Sequence, residues 1–210
     1  MLLHLNIKKQ TMKKGIILGS IGLLLLIICF NGCSSYNSMV TKDEVVKEEW
    51  NNVQTAYQAR LDKTANLFEI VSSASDFEKS TLTGVVEARA KATNIQLKVD
   101  DLTPENMQKF QEAQAGFGSA LGRLMAVAEN YPTLQSVSAW RDFQAQYEGM
   151  ENRISTARTR FNEAVKEYNL SVRRFPRKIW ASLFGFDVRT GFTADAGAEK
   201  APSIKDMKDK

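Results

Sequence analysis

Histidine and cysteine are missing from most of this 210-residue chain. The single histidine is His4 and the only cysteines are Cys29 and Cys33, so residues 36–210 hold neither type. That stretch therefore has no Cys/His zinc site, no Ser-His-Asp or Cys-His nucleophile and no disulfide, and its stability must come from packing. Acids are absent from residues 1–35, where Lys8, Lys9, Lys13 and Lys14 carry all the charge. Removing those four from the 28 basic residues leaves 24, against 24 acidic ones, so the net +4 belongs to the leader. A nucleic-acid binder carries its positive charge on the folded part; a balance of zero there argues against nucleic acid as a partner. Carboxylates remain available for acid–base work or a hard cation, but no spacing groups them. No catalytic, cofactor-binding or metal residue is assigned, and no run reads as a strand.

Charge of either sign is also lacking from residues 15–30, GIILGSIGLLLLIICF. With Lys13 and Lys14 before it, this is the n-region and apolar core of a secretory signal. Its 16 residues fall short of the roughly 20 that span a bilayer, and the uncharged residues 31–35 make up the difference. Four lysines precede the run and Lys42 is the first to follow it. The positive-inside rule then leaves the N-terminus in the cytoplasm and the domain outside, on the periplasmic side in a Gram-negative cell. Met12 is an alternative start, with residues 1–11 as an upstream extension. Phe30-Asn31-Gly32-Cys33 resembles a lipoprotein processing site: Gly32 fits, while Phe30 and Asn31 depart from the usual leucine and small residue. Two anchors stay open, a cleaved outer-membrane lipoprotein lipidated at Cys33 or an uncleaved membrane helix.

The rest reads as long helices. Residues 43–73 place Val46, Trp50, Val53, Tyr57, Leu61, Phe68 and Val71 at three- and four-residue steps, with a polar gap at Thr64. Ser75-Asp76-Phe77-Glu78 has the form of a capping box opening a second helix to about Leu97, in which Gly84 suggests a close helix approach. Thr103 and Pro104 form an N-cap and first position for a third helix carrying Met107, Phe110, Phe117, Leu121, Leu124 and Ala128. From Ser138 to Phe175 the apolar stripe Trp140, Phe143, Tyr147, Met150, Ile154, Ala157, Phe161, Ala164, Tyr168, Val172, Phe175 is nearly unbroken, and Pro176 ends or kinks it. Sustained three-four spacing predicts an all-α, antiparallel up-and-down helical bundle. The domains are a leader at 1–35, a bundle at 36–192 and a disordered tail at 193–210. Residues 173–186, RRFPRKIWASLFGF, mix basic and large apolar side chains. They fit a short helix folding back on the bundle end, or an amphipathic segment on a membrane surface.

The blocks SSYNSMVTKDEVVKEEW, ARLDKTANLFEIV, NYPTLQS, ENRISTARTRFNEAVKEYNLSVRRFP and LFGF, in this order, resemble the LemA family of bacterial membrane proteins from Tyr36 to Phe192. The resemblance implies an N-terminal anchor, a helical bundle and no catalytic residues. It singles out Tyr36, Asn37, Arg60, Asn66, Arg89, Arg158, Asn162, Asn169 and Pro176 as structural or interaction positions. Where the family has a proline, this chain has Ala65, which predicts a straighter first helix. Asn162 and Asn169, seven apart beside the apolar seam, would fix helix register, and Arg60 and Arg89 would pair with acids between helices. Three functions follow in order. The first is a non-enzymatic, membrane-anchored scaffold that binds another envelope protein. The second is a lipid-surface bundle that senses or remodels the membrane. The last is a carboxylate–metal enzyme, disfavoured by the missing histidines.

Overall fold

The computed structural model describes residues 2–65, 67–72 and 77–193; for residues 2–16, Phe68 and Ser72 it describes the backbone alone. Asn66, Ser75 of the capping box and the tail beyond Thr193 lie outside the described residues. The chain is all-α, with no strand among the described residues. Its helices are α1 (Leu2–Lys63), α2 (Leu67–Ser72), α3 (Lys79–Asn94), α4 (Pro104–Ala128), α5 (Pro132–Gln135), α6 (Ser138–Arg173) and α7 (Arg177–Phe184), with one turn of 3-10 helix at Val99–Asp101. It divides into two compact units, one of residues 1–45 and 167–188, the other of residues 46–166 and 189–210.

Contacts within the larger unit give its topology. Along α1, Trp50 meets Phe161 and Arg60 meets Glu151, so α1 and α6 run in opposite directions. Arg89 of α3 reaches Leu61, and Leu97 just beyond α3 accepts from Trp50, so α1 and α3 are antiparallel. Phe77 stacks near Tyr131 and Gln114 reaches Ala92, so α3 and α4 are antiparallel too. The four helices therefore alternate up and down. Their core includes Leu61, Val85, Phe117, Leu121, Leu124, Trp140, Phe143 and Met150, all from the stripes expected of them. Burying such side chains contributes about 1.5–3 kcal/mol each, which is the main force holding a domain without disulfides.

Helix starts follow local chemistry where the cap is present. Thr103 caps α4 by accepting from the Asn106 amide at 3.2 Å, with Pro104 at the first position. The second helix begins later than expected, at Lys79, with Glu78 as its N-cap and no side-chain cap bond. Gly84 is not a close-approach site, since a Cβ there would meet nothing within 4 Å. Phe175 also leaves the stripe: α6 ends at Arg173 and the ring is 82% exposed.

The straighter first helix is overturned. Helix α1 stops at Lys63 in spite of Ala65. At this end the buried Thr64 shares its hydroxyl proton between the Arg60 and Leu61 carbonyls, both at 2.9 Å. Arg89 Nε also claims the Leu61 carbonyl, at 3.3 Å. Continued α-helix would need that carbonyl for the Ala65 amide, which instead bonds back three residues to Asp62 at 3.1 Å. The Leu61 carbonyl, taken by Thr64 and Arg89 together, is thus the point at which the α-helical ladder is left without a proline.

The smaller unit holds the apolar run. The stretch of α1 from Ile17 is long and apolar enough to cross a membrane, and it is bare: Ile17, Leu18, Leu26 and Phe30 are among its exposed side chains. Helix α7 folds back onto this same α1, at Gly32 and Tyr36. A Cβ at Gly32 would lie 3.0 Å from the Trp180 ring, and Tyr36 takes Phe184 and Phe186 edge-on at 5.1 and 5.6 Å. Gly185, at φ 75°, closes α7 in the left-handed conformation that glycine adopts without strain. Lys42 pairs with Glu167 at 3.2 Å in the same unit.

Candidate functional site

The larger unit carries two polar constructions that apolar periodicity alone does not require. The first surrounds Arg60, which is only 3% exposed. Its Nη1 donates to Glu151 Oε1 at 3.0 Å, and its Nη2 donates to the backbone and side-chain oxygens of Gln114 at 3.0 and 2.8 Å. The rings of Tyr57 and Phe117 lie 5.2 and 5.1 Å from the guanidinium carbon, and Nε lacks a partner among the described residues. One cation thus joins α1, α4 and α6. Gln114 extends the network to α3 by donating to Ala92 O at 3.4 Å. Nearby, burial and the Glu151 charge raise the Tyr147 phenol above its ordinary 10.0, against a smaller opposing pull from Arg60.

The second construction clasps residues 189–193 onto the helices. Asn162 of α6 makes a two-way bond with Phe192: its amide donates to the Phe192 carbonyl at 3.1 Å and its oxygen accepts from the Phe192 amide at 2.7 Å. The Phe192 ring then fills a gap among Trp50, Phe110 and Phe161, with centroids 6.1, 6.3 and 5.7 Å away, and Arg158 sits over it at 4.8 Å. Gly191 is required here, because a Cβ would fall 2.6 Å from Asn162 Oδ1. Arg189 donates to the Val99 carbonyl at 3.1 Å and pairs with Asp100 at 3.2 Å. Thr193, which the sequence assigns to the tail, exchanges bonds with Gln111, the shorter being 3.0 Å.

Several expected roles change. Asn162 does not set register between helices; it reads a backbone, as its amide supplies both a donor and an acceptor. Arg89 meets a carbonyl instead of an acid. Arg60 does pair with an acid between helices, as expected. Arg158 stands beside Asn162 at the clasp, while Asn169 is half-buried further along α6. Tyr36 packs on α7, Asn37 is exposed with its carbonyl taken by Thr41, and Pro176 is the N-cap residue of α7. Cys29 and Cys33 are both exposed thiols on α1. Gln114 was missed; its only signal was its place in the α4 stripe between Phe110 and Phe117. Phe192 carried no signal beyond lying at the end of the resemblance.

As for chemistry, a groove of about 440 Å³ lies beside α1 and is lined by Gln54, Thr55, Gln58, Thr93 and Gln96, with Asp62 its one carboxylate. Among the described residues no cluster of three His, Cys, Asp or Glu is placed to hold a metal.

The profile of the LemA family matches residues 49–205, about three quarters of the chain. The chain belongs to the LemA family. Among relatives of this LemA protein are two magnetosome proteins of Paramagnetospirillum magneticum strain AMB-1, MamQ 1 and MamQ 2. Each is 29% identical over 72% of this chain. Magnetosome protein MamQ of Magnetospirillum gryphiswaldense is 27% identical over the same share. The matched region spans 62% of these relatives' own length. Family and apolar helix together describe a membrane-associated, all-helical LemA protein.

Proposed function

We propose that this protein is a non-enzymatic scaffold, tethered by α1 in the cytoplasmic membrane with its helical bundle exported, which binds another envelope protein through a helix face. The observation that carries the reading is the contrast between the two ends of α1. Residues 17–30 leave an apolar surface bare, whereas residues 46–63 lock into a bundle whose buried polar groups bond to one another. The bare run finds its solvent in a bilayer. The internal bonding of Arg60, Gln114 and Asn162 serves rigidity, as a scaffold needs, and among the described residues no convergent set of acid, base and nucleophile opens onto a cavity. The relatives' names point the same way: they identify proteins by the structure they belong to, the magnetosome, and not by a reaction.

We infer that α1 is retained as an uncleaved helix, with cleavage and lipidation at Cys33 as the alternative, since cleavage before Cys33 would remove the Gly32 surface that Trp180 covers. Intact mass of the membrane-extracted protein tests the anchor; loss of residues 1–32 with added acyl mass refutes retention. In-cell crosslinking followed by affinity capture of the full chain tests the scaffold. A specific, stoichiometric envelope protein is expected, and recovery of none across crosslinkers of several lengths counts against it.

A further inference from the structure

Helix α7 has two unlike faces. Its inner face, Trp180, Ala181 and Phe184, turns toward α1. Trp180 lies over Gly32, its ring also stacked on Phe184 at 6.0 Å, and Ala181 is buried. Its outer face carries Ile179 and Leu183, 58% and 68% exposed, and Phe175 in the turn just before the helix is 82% exposed. Arg174 and Lys178 stand exposed beside these residues. Two large apolar side chains on one face of a short helix, with a third in the turn before it, are more than the scattered apolar exposure usual on a protein surface.

The place where α7 is pinned says what covers this face. Gly32 and Tyr36 follow the last large apolar residue of the bare run, Phe30, by two and six positions. At helical rise that is roughly 3 and 9 Å along the axis. With a span of roughly 20 residues from Gly15, the hydrocarbon ends near Ser34, so Gly32 lies just inside that edge and Tyr36 just beyond it, in the zone where tyrosine and tryptophan concentrate in membrane proteins. Phe30 is itself 77% exposed, so the apolar surface of α1 ends beside the α7 contact. An eight-residue helix is short for binding lipid unaided. Here α1 supplies the affinity, and α7 acts at the high effective concentration of a tethered group.

We propose that α7 is a membrane foot: Phe175, Ile179 and Leu183 seat in the acyl–headgroup boundary of the bilayer that α1 enters, while Arg174 and Lys178 meet anionic headgroups. The proposal rests on the reading of residues 17–30 as a membrane helix. It adds a second, lateral contact that fixes the tilt and rotation of α1 at its exit from the bilayer, as interfacial aromatic and basic anchors do. A protein surface is the competing occupant, and the quenching experiment separates the two.

The test uses the full chain in vesicles of phosphatidylglycerol and phosphatidylcholine. Trp50 and Trp140 are fully buried, so the parent chain with Trp180 in place supplies the background, and Leu183→Trp adds a probe on the exposed face that is read as the difference from it. With acyl-brominated lipid, the probe at position 183 should lose emission by roughly two-fold and be shielded from aqueous iodide. Replacing Arg174 and Lys178 with serine, or omitting phosphatidylglycerol, should weaken the quenching. A probe open to iodide and untouched by brominated lipid, in chains that float with the vesicles, overturns the foot and leaves the anchor standing. A probe shielded from both quenchers overturns it in favour of a protein occupant. Quenching indifferent to the serine variant and to headgroup charge overturns the anionic-lipid half. Chains that fail to float with the vesicles at all refute the membrane helix, and the foot with it.

Discussion

Replacing Glu151 with alanine should cost more stability than replacing Arg60 with methionine, although the two side chains form one ion pair. Arg60 is 3% exposed along its side chain and Glu151 39%, so the partners differ in what happens when they are left alone. Without Glu151 the guanidinium stays buried. Its Nη2 keeps two acceptors on Gln114, but Nη1 joins Nε in having none among the described residues. Stranding a buried charge costs about 3–5 kcal/mol, and the surviving bonds place this case near 3. Without Arg60, Glu151 turns to water and the burden falls on the buried Gln114 oxygens, at about 1–3 kcal/mol. Methionine fills most of the vacated volume and adapts to an irregular gap. The double variant Arg60→Met/Glu151→Ala should then be no worse than Arg60→Met alone, giving a coupling of about 2–3 kcal/mol. Urea unfolding of the detergent-solubilised chain, followed by far-UV circular dichroism at constant m-value, measures all four corners of the cycle. The reasoning fails if Glu151→Ala lies within about 0.5 kcal/mol of the parent and the effects add, as an exposed surface pair would behave.

The clasp offers a second test. Asn162→Ala should release residues 189–193 at a cost of about 1–3 kcal/mol, and Gly191→Ala should do the same by collision with Asn162 Oδ1. Hydrogen exchange at the Phe192 amide reads both, and unchanged protection refutes the clasp. Phe192→Ala should cost about 3–5 kcal/mol in the same unfolding assay, because its ring completes a core of three other aromatics. Tyr147 is protonated in the fold beyond its ordinary 10.0, so its stabilising share is full below pH 10 and is lost as pH rises through the folded value. Phenolate absorbance should lose a late-titrating component in Tyr147→Phe, and that variant should flatten the alkaline fall in stability. Thr103→Ala should cost about 1 kcal/mol through the lost α4 cap, and Thr103→Asp should recover it; equal stability of all three chains contradicts the capping role.

Much of the architecture was legible because it is periodic or local. The stripe from Trp140 to Val172 fixes both the existence of α6 and the face it buries, since a 3.6-residue repeat of apolar side chains has one way to leave water. Thr103-Pro104 marks the start of α4 because cap and helix are neighbours in sequence. The apolar run of residues 15–30 was equally plain, as was the absence of histidine and cysteine from residues 36–210. The candidate site was legible only as a set of positions. Arg60, Arg158 and Asn162 were singled out by resemblance, but their partners lie 30 to 91 residues away and are chosen by packing.

The sequence by itself determined that this is an all-helical chain with an apolar N-terminal run, and which faces of its longest helices are buried, because periodicity and local caps need no distant partner. Tertiary structure decided the rest. It ended α1 at Lys63, where Arg89 from another helix and the Thr64 hydroxyl compete for one carbonyl. It turned Asn162 into the holder of Phe192, and it laid α7 along Gly32 and Tyr36 with a bare apolar face outward. Each outcome depends on which groups meet across long loops, and a one-dimensional pattern of residue types does not encode that meeting.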